Sequence, residues 1–164
     1  MNKKVSFDFD NTLSETKVQE YARELINRGI DVYVVTARYD DPHKHLWPTN
    51  TSNEDLYAIV NKLGLPLNRI IFCNMQPKYK WFENTDFIFH LDDDHKEIEN
   101  LWQAKNTNVI PVNYLGCQKG NWKEYCNNLL NQEGESCGIC GKESKMYYVE
   151  NDTKICSKCY NEIK

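Results

Sequence analysis

Short continuous apolar runs alternate along this chain with longer stretches in which apolar residues recur every three or four positions, the pattern of buried strands separated by amphipathic helices. The first run begins at Val5 and ends in Asp8-Phe9-Asp10-Asn11-Thr12-Leu13-Ser14, which predicts a strand with two carboxylates and a hydroxyl at its tip. Glu15 to Arg28 sets Val18, Tyr21, Ala22, Leu25 and Ile26 on one helical face, and Gly29 stops the helix. Asp31 to Thr36 is β-branched and aromatic with no polar alternation, a second buried strand that also ends in a hydroxyl. Ala37 to Thr51, with Pro42, Pro48, His43, His45 and Trp47, reads as a long loop. Ser52 or Asn53 caps a helix that runs through Leu63, with Leu56, Ile59, Val60 and Leu63 on one face and Gly64 past its end. Arg69 to Cys73 is a third strand, a short helix starts near Pro77, and a fourth strand, Phe87 to Leu91, runs directly into Asp92-Asp93-Asp94. A helix over His95 to Lys105, a strand over Asn108 to Val112 and a helix over Trp122 to Leu130 complete the series.

Strands alternating with helices predict an α/β fold, a Rossmann-like parallel sheet of about five strands with helices on both faces and right-handed crossovers. Ligands of such sheets bind beyond the carboxyl ends of the strands, where the sequence places Asp8 with Asp10, Thr36, and Asp92 with Asp93. Asp8 and Asp10, two apart, lie on one side of an extended chain and need a compensating cation. Mg²⁺ suits them, because it takes carboxylate oxygens together with substrate phosphate. An isolated Asp pair can equally serve a turn or an N-cap. Three strand tips bringing carboxylates and a hydroxyl to one edge argue instead for a site. His90, inside the fourth strand, reads as a satisfied core histidine. Arg38, just past Thr36, could reach a substrate phosphate bidentately or pair with Asp40 or Asp41.

Composition then separates a second unit from the first. Gln132 to Ser136 is a polar, glycine-containing joint, so residues 1–132 form the main domain and 133–164 a small appendage. Cys137-Gly-Ile-Cys140 and Cys156-Ser-Lys-Cys159 flank residues 141–155, the spacing of a four-cysteine zinc ribbon. Four thiolates leave no open position, so this Zn²⁺ is structural, and its ligation supplies folding energy that so short a segment cannot draw from a core. Two disulfides are the alternative, and a reducing compartment disfavours them. A cytoplasmic location is expected because Met-Asn-Lys-Lys leads straight into a strand, without the apolar core of a secretory signal. Cys73, Cys117 and Cys126 are scattered and read as small buried hydrophobes. The net charge of −4 gives no general drive toward nucleic acid or anionic membrane. No apolar run approaches the roughly 20 residues of a membrane span. Lysines and acids balance in the ribbon, so it lacks the electrostatic footprint of a nucleic-acid module. Tyr147, Tyr148 and Tyr160 could still stack on bases, which leaves protein and nucleic acid both open as its partners.

These polar tips, in this order, resemble the haloacid dehalogenase (HAD) superfamily of phosphotransferases. Asp8-Phe9-Asp10-Asn11-Thr12-Leu13 looks like its first motif, Thr36 in Val-Val-Thr-Ala-Arg like its second, a lysine near Pro77 like its third and Asp92-Asp93 like its fourth. The resemblance covers residues 3–115. It implies that Asp8 is a nucleophile forming an aspartyl-phosphate and that Asp10 is general acid and then general base. It also implies that Mg²⁺ is held by Asp8, the backbone carbonyl of Asp10 and one acid of the fourth-motif pair, with Asp93 the preferred ligand and Asp92 orienting a metal-bound water. Thr36 and a lysine would bind the phosphoryl oxygens, with Thr12, Arg38 and Lys80 on the substrate side. Lys78 lies three and four positions before Trp81 and Phe82, the residues that must face the sheet, whereas Lys80 points elsewhere. Lys78 is therefore the expected phosphate-binding lysine, with Lys80 the other candidate. The motif spacing leaves no room for a cap domain. The expectation is a capless Mg²⁺-dependent phosphomonoester hydrolase acting on a nucleotide or a phosphorylated nucleic-acid end. The alternative is a binding module that keeps the fold and the ribbon without turnover.

Overall fold

The computed structural model describes residues 2–49, 52–116 and 121–131, the strands within 135–156, and residues 158–159 and 162. Strands β1 (Lys4–Phe7), β2 (Asp31–Thr36), β3 (Ile70–Phe72), β4 (Phe87–Asp92) and β5 (Ile110–Asn113) form one all-parallel sheet in the order β3-β2-β1-β4-β5. Helices α1 (Thr16–Asn27), α2 (Glu54–Lys62), α3 (Tyr79–Phe82) and α4 (His95–Gln103) connect the strands, and α5 (Trp122–Asn131) follows β5. This is the α/β, Rossmann-like sheet that the pattern predicts. Among the described residues, no helix is long and apolar enough to cross a membrane.

The chain divides into two compact units, Met1–Cys126 and Asn127–Lys164, the division falling within α5. In the second unit β6 (Glu135–Ser136) pairs antiparallel with β7 (Glu143–Ser144), and β8 (Tyr147–Glu150) with β9 (Thr153–Cys156). Cys137, Cys140 and the side chain of Cys156 lie outside the described residues, as does Cys117, while Cys159 is buried. The four-cysteine zinc reading therefore falls largely outside what the structure describes.

Helices α1 and α2 stop for the same physical reason. Gly29 and Gly64 take left-handed φ values of 77° and 73°. After α1 the amide of Gly29 bonds to Ile26 O and that of Ile30 to Leu25 O. After α2 the amide of Gly64 bonds to Asn61 O and that of Leu65 to Val60 O. Both are Schellman closures, which satisfy the last helical carbonyls and turn the chain back to the sheet.

Aromatic side chains fill both sheet faces. Phe7 packs edge-to-face on Tyr21 of α1, and Phe82 of α3 packs on Phe87 of β4. Between Lys4/Phe87 and Ser6/His90 the β1–β4 register shifts, because β4 takes one residue more than β1. Such a bulge re-aims the side chains that follow it. His90 consequently shares a face with Phe87, both lying against Phe82. Asp92, two residues on, is delivered to that same face.

Candidate active site

The three acidic or hydroxyl-bearing tips belong to adjacent strands, β2, β1 and β4, so their carboxyl ends share one edge. At the end of β1 the amide of Asp8 continues the ladder by bonding to Leu91 O at 2.8 Å. The chain then makes a π-helical turn, Phe9–Leu13, with Leu13 N bonded to Asp8 O and Ser14 N to Phe9 O. Asn11 takes the φ of +57° that the turn requires, which asparagine tolerates better than most residues. The turn returns the chain to the sheet edge and buries Thr12, whose hydroxyl donates to Asp93 Oδ1 at 3.0 Å.

Asp8, Asp92 and Asp93 each offer a carboxylate oxygen, and these oxygens lie within 4.8 Å of one another. Lys78 enters the same cluster from the start of α3. Its Nζ lies 2.7 Å from Asp8 Oδ1 and 2.6 Å from Asp92 Oδ2, and the residue is 1% exposed. Its backbone amide bonds to Glu97 Oε2 of α4 at 3.1 Å, so the lysine is tied at both ends. Lys80, by contrast, is exposed and among the described residues reaches Gln76, at 3.3 Å.

Asp92 is the most heavily bonded carboxylate of the group. Oδ2 accepts from Lys78 and from His90 Nε2, the latter at 2.9 Å, and Oδ1 accepts from the amide of Asp94. Burial alone would raise its pKa, but the bonds from His90 and Lys78 hold the carboxyl below the usual carboxylate range. At Asp8 burial dominates and raises the pKa well above that range, against the pull of Lys78 and reinforced by the charge of Asp92. Lys78 loses from burial and gains more from Asp8 and Asp92, so its ammonium is held protonated. One ammonium thus lies between Asp8 and Asp92, one positive charge among three carboxylates.

That imbalance tests whether the residues fit a metal. Three carboxylates against one ammonium leave a formal charge of −2, and every donor is a hard oxygen, the set that suits Mg²⁺. Asp93, half-buried and with Thr12 on one oxygen, keeps more lone pairs open than Asp92 does.

Asp10 and Arg38 form a second group. Asp10 is exposed on the turn, and its carboxylate is gripped by Arg38. Thr36, at the end of β2, is fully buried and accepts the amide of Arg38 on Oγ1 at 3.2 Å, which leaves its own hydroxyl hydrogen to donate. Of the acids near it, Arg38 pairs with Asp10 and Asp55 rather than with Asp40 or Asp41. Asp40 is held by His43, and Asp41 by Asn53 and Tyr57. Sequence reasoning missed Asp55, Glu97 and Ser6; only Ser6, a hydroxyl inside an apolar strand, carries a signal of its own.

Comparison of the chain with protein-family models, with curated proteins and with solved structures found no match.

Proposed function

We propose that this protein is a Mg²⁺-dependent phosphomonoester hydrolase of the HAD-like type, working through an aspartyl-phosphate on Asp8. The observation that carries the reading is the cluster at the carboxyl edge of the sheet. Three carboxylate oxygens lie within 4.8 Å of one another, with the Lys78 ammonium bonded to two of the three residues. Asp8, Asp92, Asp93 and the carbonyl of Asp10 would hold Mg²⁺, which when bound neutralises charge on the phosphoryl oxygens. An Asp8 oxygen attacks phosphorus as the bond to the leaving oxygen breaks, and Asp10 gives that oxygen its proton. Water then attacks the aspartyl-phosphate, Asp10 takes the proton back, and phosphate leaves Asp8 as it was. Lys78 faces the charge that develops on the phosphoryl group, and the Thr36 hydroxyl is the second donor assigned to it.

The substrate proposed is a nucleotide or a phosphorylated nucleic-acid end. Support for this comes from the short motif spacing, which leaves the edge without a cap domain, and from the cysteine-rich segment, read as a zinc ribbon that contacts nucleic acid or protein. The test is phosphate release, with Mg²⁺ and with EDTA, from a panel of nucleotides, sugar phosphates, phosphopeptides and 3′- and 5′-phosphorylated oligonucleotides. Release that requires Mg²⁺ and vanishes in Asp8→Asn supports the reading. No Mg²⁺-dependent release from any member favours the alternative, a binding module of the same fold.

A further inference from the structure

We propose that Arg38 and Asp55 form a clamp that positions Asp10 for proton exchange with the leaving oxygen, an inference that rests on the phosphatase reading above. Asp10 projects from the turn with its side chain 52% exposed, a poor starting point for a group that must meet one oxygen at hydrogen-bond distance. Arg38 supplies the missing constraint. Its Nε and Nη2 donate to Asp10 Oδ2 and Oδ1 at 2.9 and 2.6 Å, a two-pronged grip that fixes the plane of the ionised carboxylate; when Asp10 carries the proton, the oxygen that bears it gives up its bond to Arg38 and the other keeps the group in place.

The guanidinium is itself held from elsewhere. Asp55, in the first turn of α2, accepts Nη1 at 2.7 Å and Nη2 at 2.9 Å. These bonds engage donors on all three guanidinium nitrogens. The cation lies 4.8 Å from the Phe9 ring centroid and 5.5 Å from that of Trp47, and the residue is 6% exposed. Its backbone is fixed as well. Arg38 N bonds to Thr36, and Arg38 O accepts from Asn74 N, a residue held at φ +50° beside Met75 at φ +61°.

The orientation of a carboxylate that follows β1 is therefore set from α2 and from the segment after β2, through one buried planar cation. Misplacing a catalytic group by about an ångström can slow a reaction by about 10²-fold, so the clamp bears on rate without touching substrate. Lysine cannot replace arginine here, since an ammonium lacks the rigid fork that two carboxylates share. Asp55 acts only through Arg38 and is a positioning residue.

The experiment compares two aryl esters of one shape, p-nitrophenyl phosphate and phenyl phosphate, whose leaving groups differ in their need for a proton. Asp55→Asn, a change at an exposed side chain, should lower kcat on phenyl phosphate by about 3- to 10-fold and on p-nitrophenyl phosphate by less than about twofold. Arg38→Met should lower the first by about 10²-fold and the second by less than tenfold, and Arg38→Lys should not rescue it. Because Arg38 is buried and its variants can fail to fold, Asp55→Asn alone suffices to decide. Equal losses on both esters, or none, in Asp55→Asn would overturn the clamp and leave the hydrolase reading standing. A wild-type protein that releases phosphate with Mg²⁺ from neither ester nor any member of the panel above would overturn both.

Discussion

Lys78→Met keeps the unbranched apolar stem of the side chain and removes the ammonium that lies 2.7 Å from Asp8 and 2.6 Å from Asp92. The Lys78 side chain is 2% exposed, so little water can take its place. With an effective dielectric of about 20, each contact carries on the order of 6 kcal/mol of attraction, most of it offset by the desolvation of the ions that make it. The substitution exposes the remainder and leaves two carboxylates buried without a counter-ion, a loss of about 3–5 kcal/mol. At roughly 2–4 °C per kcal/mol for a chain of this size, Tm in metal-free buffer should fall by about 6–20 °C. Lys80→Met, at an exposed side chain bonded to Gln76, should change stability by at most about 0.5 kcal/mol.

The assay is urea unfolding of both variants, in EDTA and in Mg²⁺. Lys78→Met adds one uncompensated negative charge to the cluster, so Mg²⁺ should stabilise it more than it stabilises wild type. A ligand at 100 times its Kd contributes about 2.7 kcal/mol. Turnover should nevertheless fall by about 10²–10³-fold, because the metal does not replace the donor aimed at the phosphoryl oxygens. A metal-free Lys78→Met protein within about 1 kcal/mol of wild type would refute the reasoning, since Asp8 and Asp92 would then not depend on Lys78 for their charge balance.

Three further outcomes are expected. Asp8→Asn should abolish turnover while leaving metal-free stability equal or higher, because it removes the buried carboxylate that burial most disfavours; activity within tenfold of wild type, in protein free of deamidation, would exclude Asp8 as nucleophile. Thr12→Val removes the hydroxyl that orients Asp93 and should weaken Mg²⁺ activation by about 10-fold or more, read from a Mg²⁺ titration; an unchanged titration would show that Asp93 is not a ligand. Elemental analysis should find about one zinc per chain after dialysis, and chelation followed by restored Mg²⁺ should spare hydrolysis of a small ester; two intact disulfides by mass spectrometry would remove the zinc assignment.

The sheet was legible because its strands are buried on both faces and so appear as uninterrupted apolar runs, as in the fully buried Phe87–Asp92. Element ends were less so. β3 is Ile70–Phe72 rather than Arg69 to Cys73, and β5 is Ile110–Asn113 rather than Asn108 to Val112, since pairing partners and not local propensity decide where a ladder stops. Three turns were not legible, the π-helical Phe9–Leu13 and the 3-10 segments Asp41–Leu46 and Leu67–Arg69, because none has an apolar period to read. The burial of Lys78 could be inferred from Trp81 and Phe82, three and four positions on. The pairing of Arg38 with Asp55 could not, because Asp55 looks like any acidic residue that favours the first turn of a helix.

Ser6, His90 and Asp92 have the composition of a nucleophilic triad, and their geometry argues against that role. All three are fully buried, so no substrate carbonyl or phosphorus can reach the serine. Asp92 as a carboxylate can only accept, so His90 Nε2 carries the hydrogen; burial lowers the imidazole pKa and keeps the ring neutral, which makes Nδ1 an acceptor for the Ser6 hydroxyl at 2.8 Å. The chain therefore runs from Ser6 through His90 to Asp92 and ends where Lys78 bonds the same Asp92 oxygen. Two donors converging on Oδ2 fix the rotation of this carboxylate, and through Lys78 that orientation is coupled to Asp8. The β4 bulge makes the arrangement possible: without the extra residue, His90 and Asp92 would fall on the sheet face opposite Ser6, Asp8 and the start of α3. A single register irregularity thus decides whether the fourth strand can serve the same edge as the first.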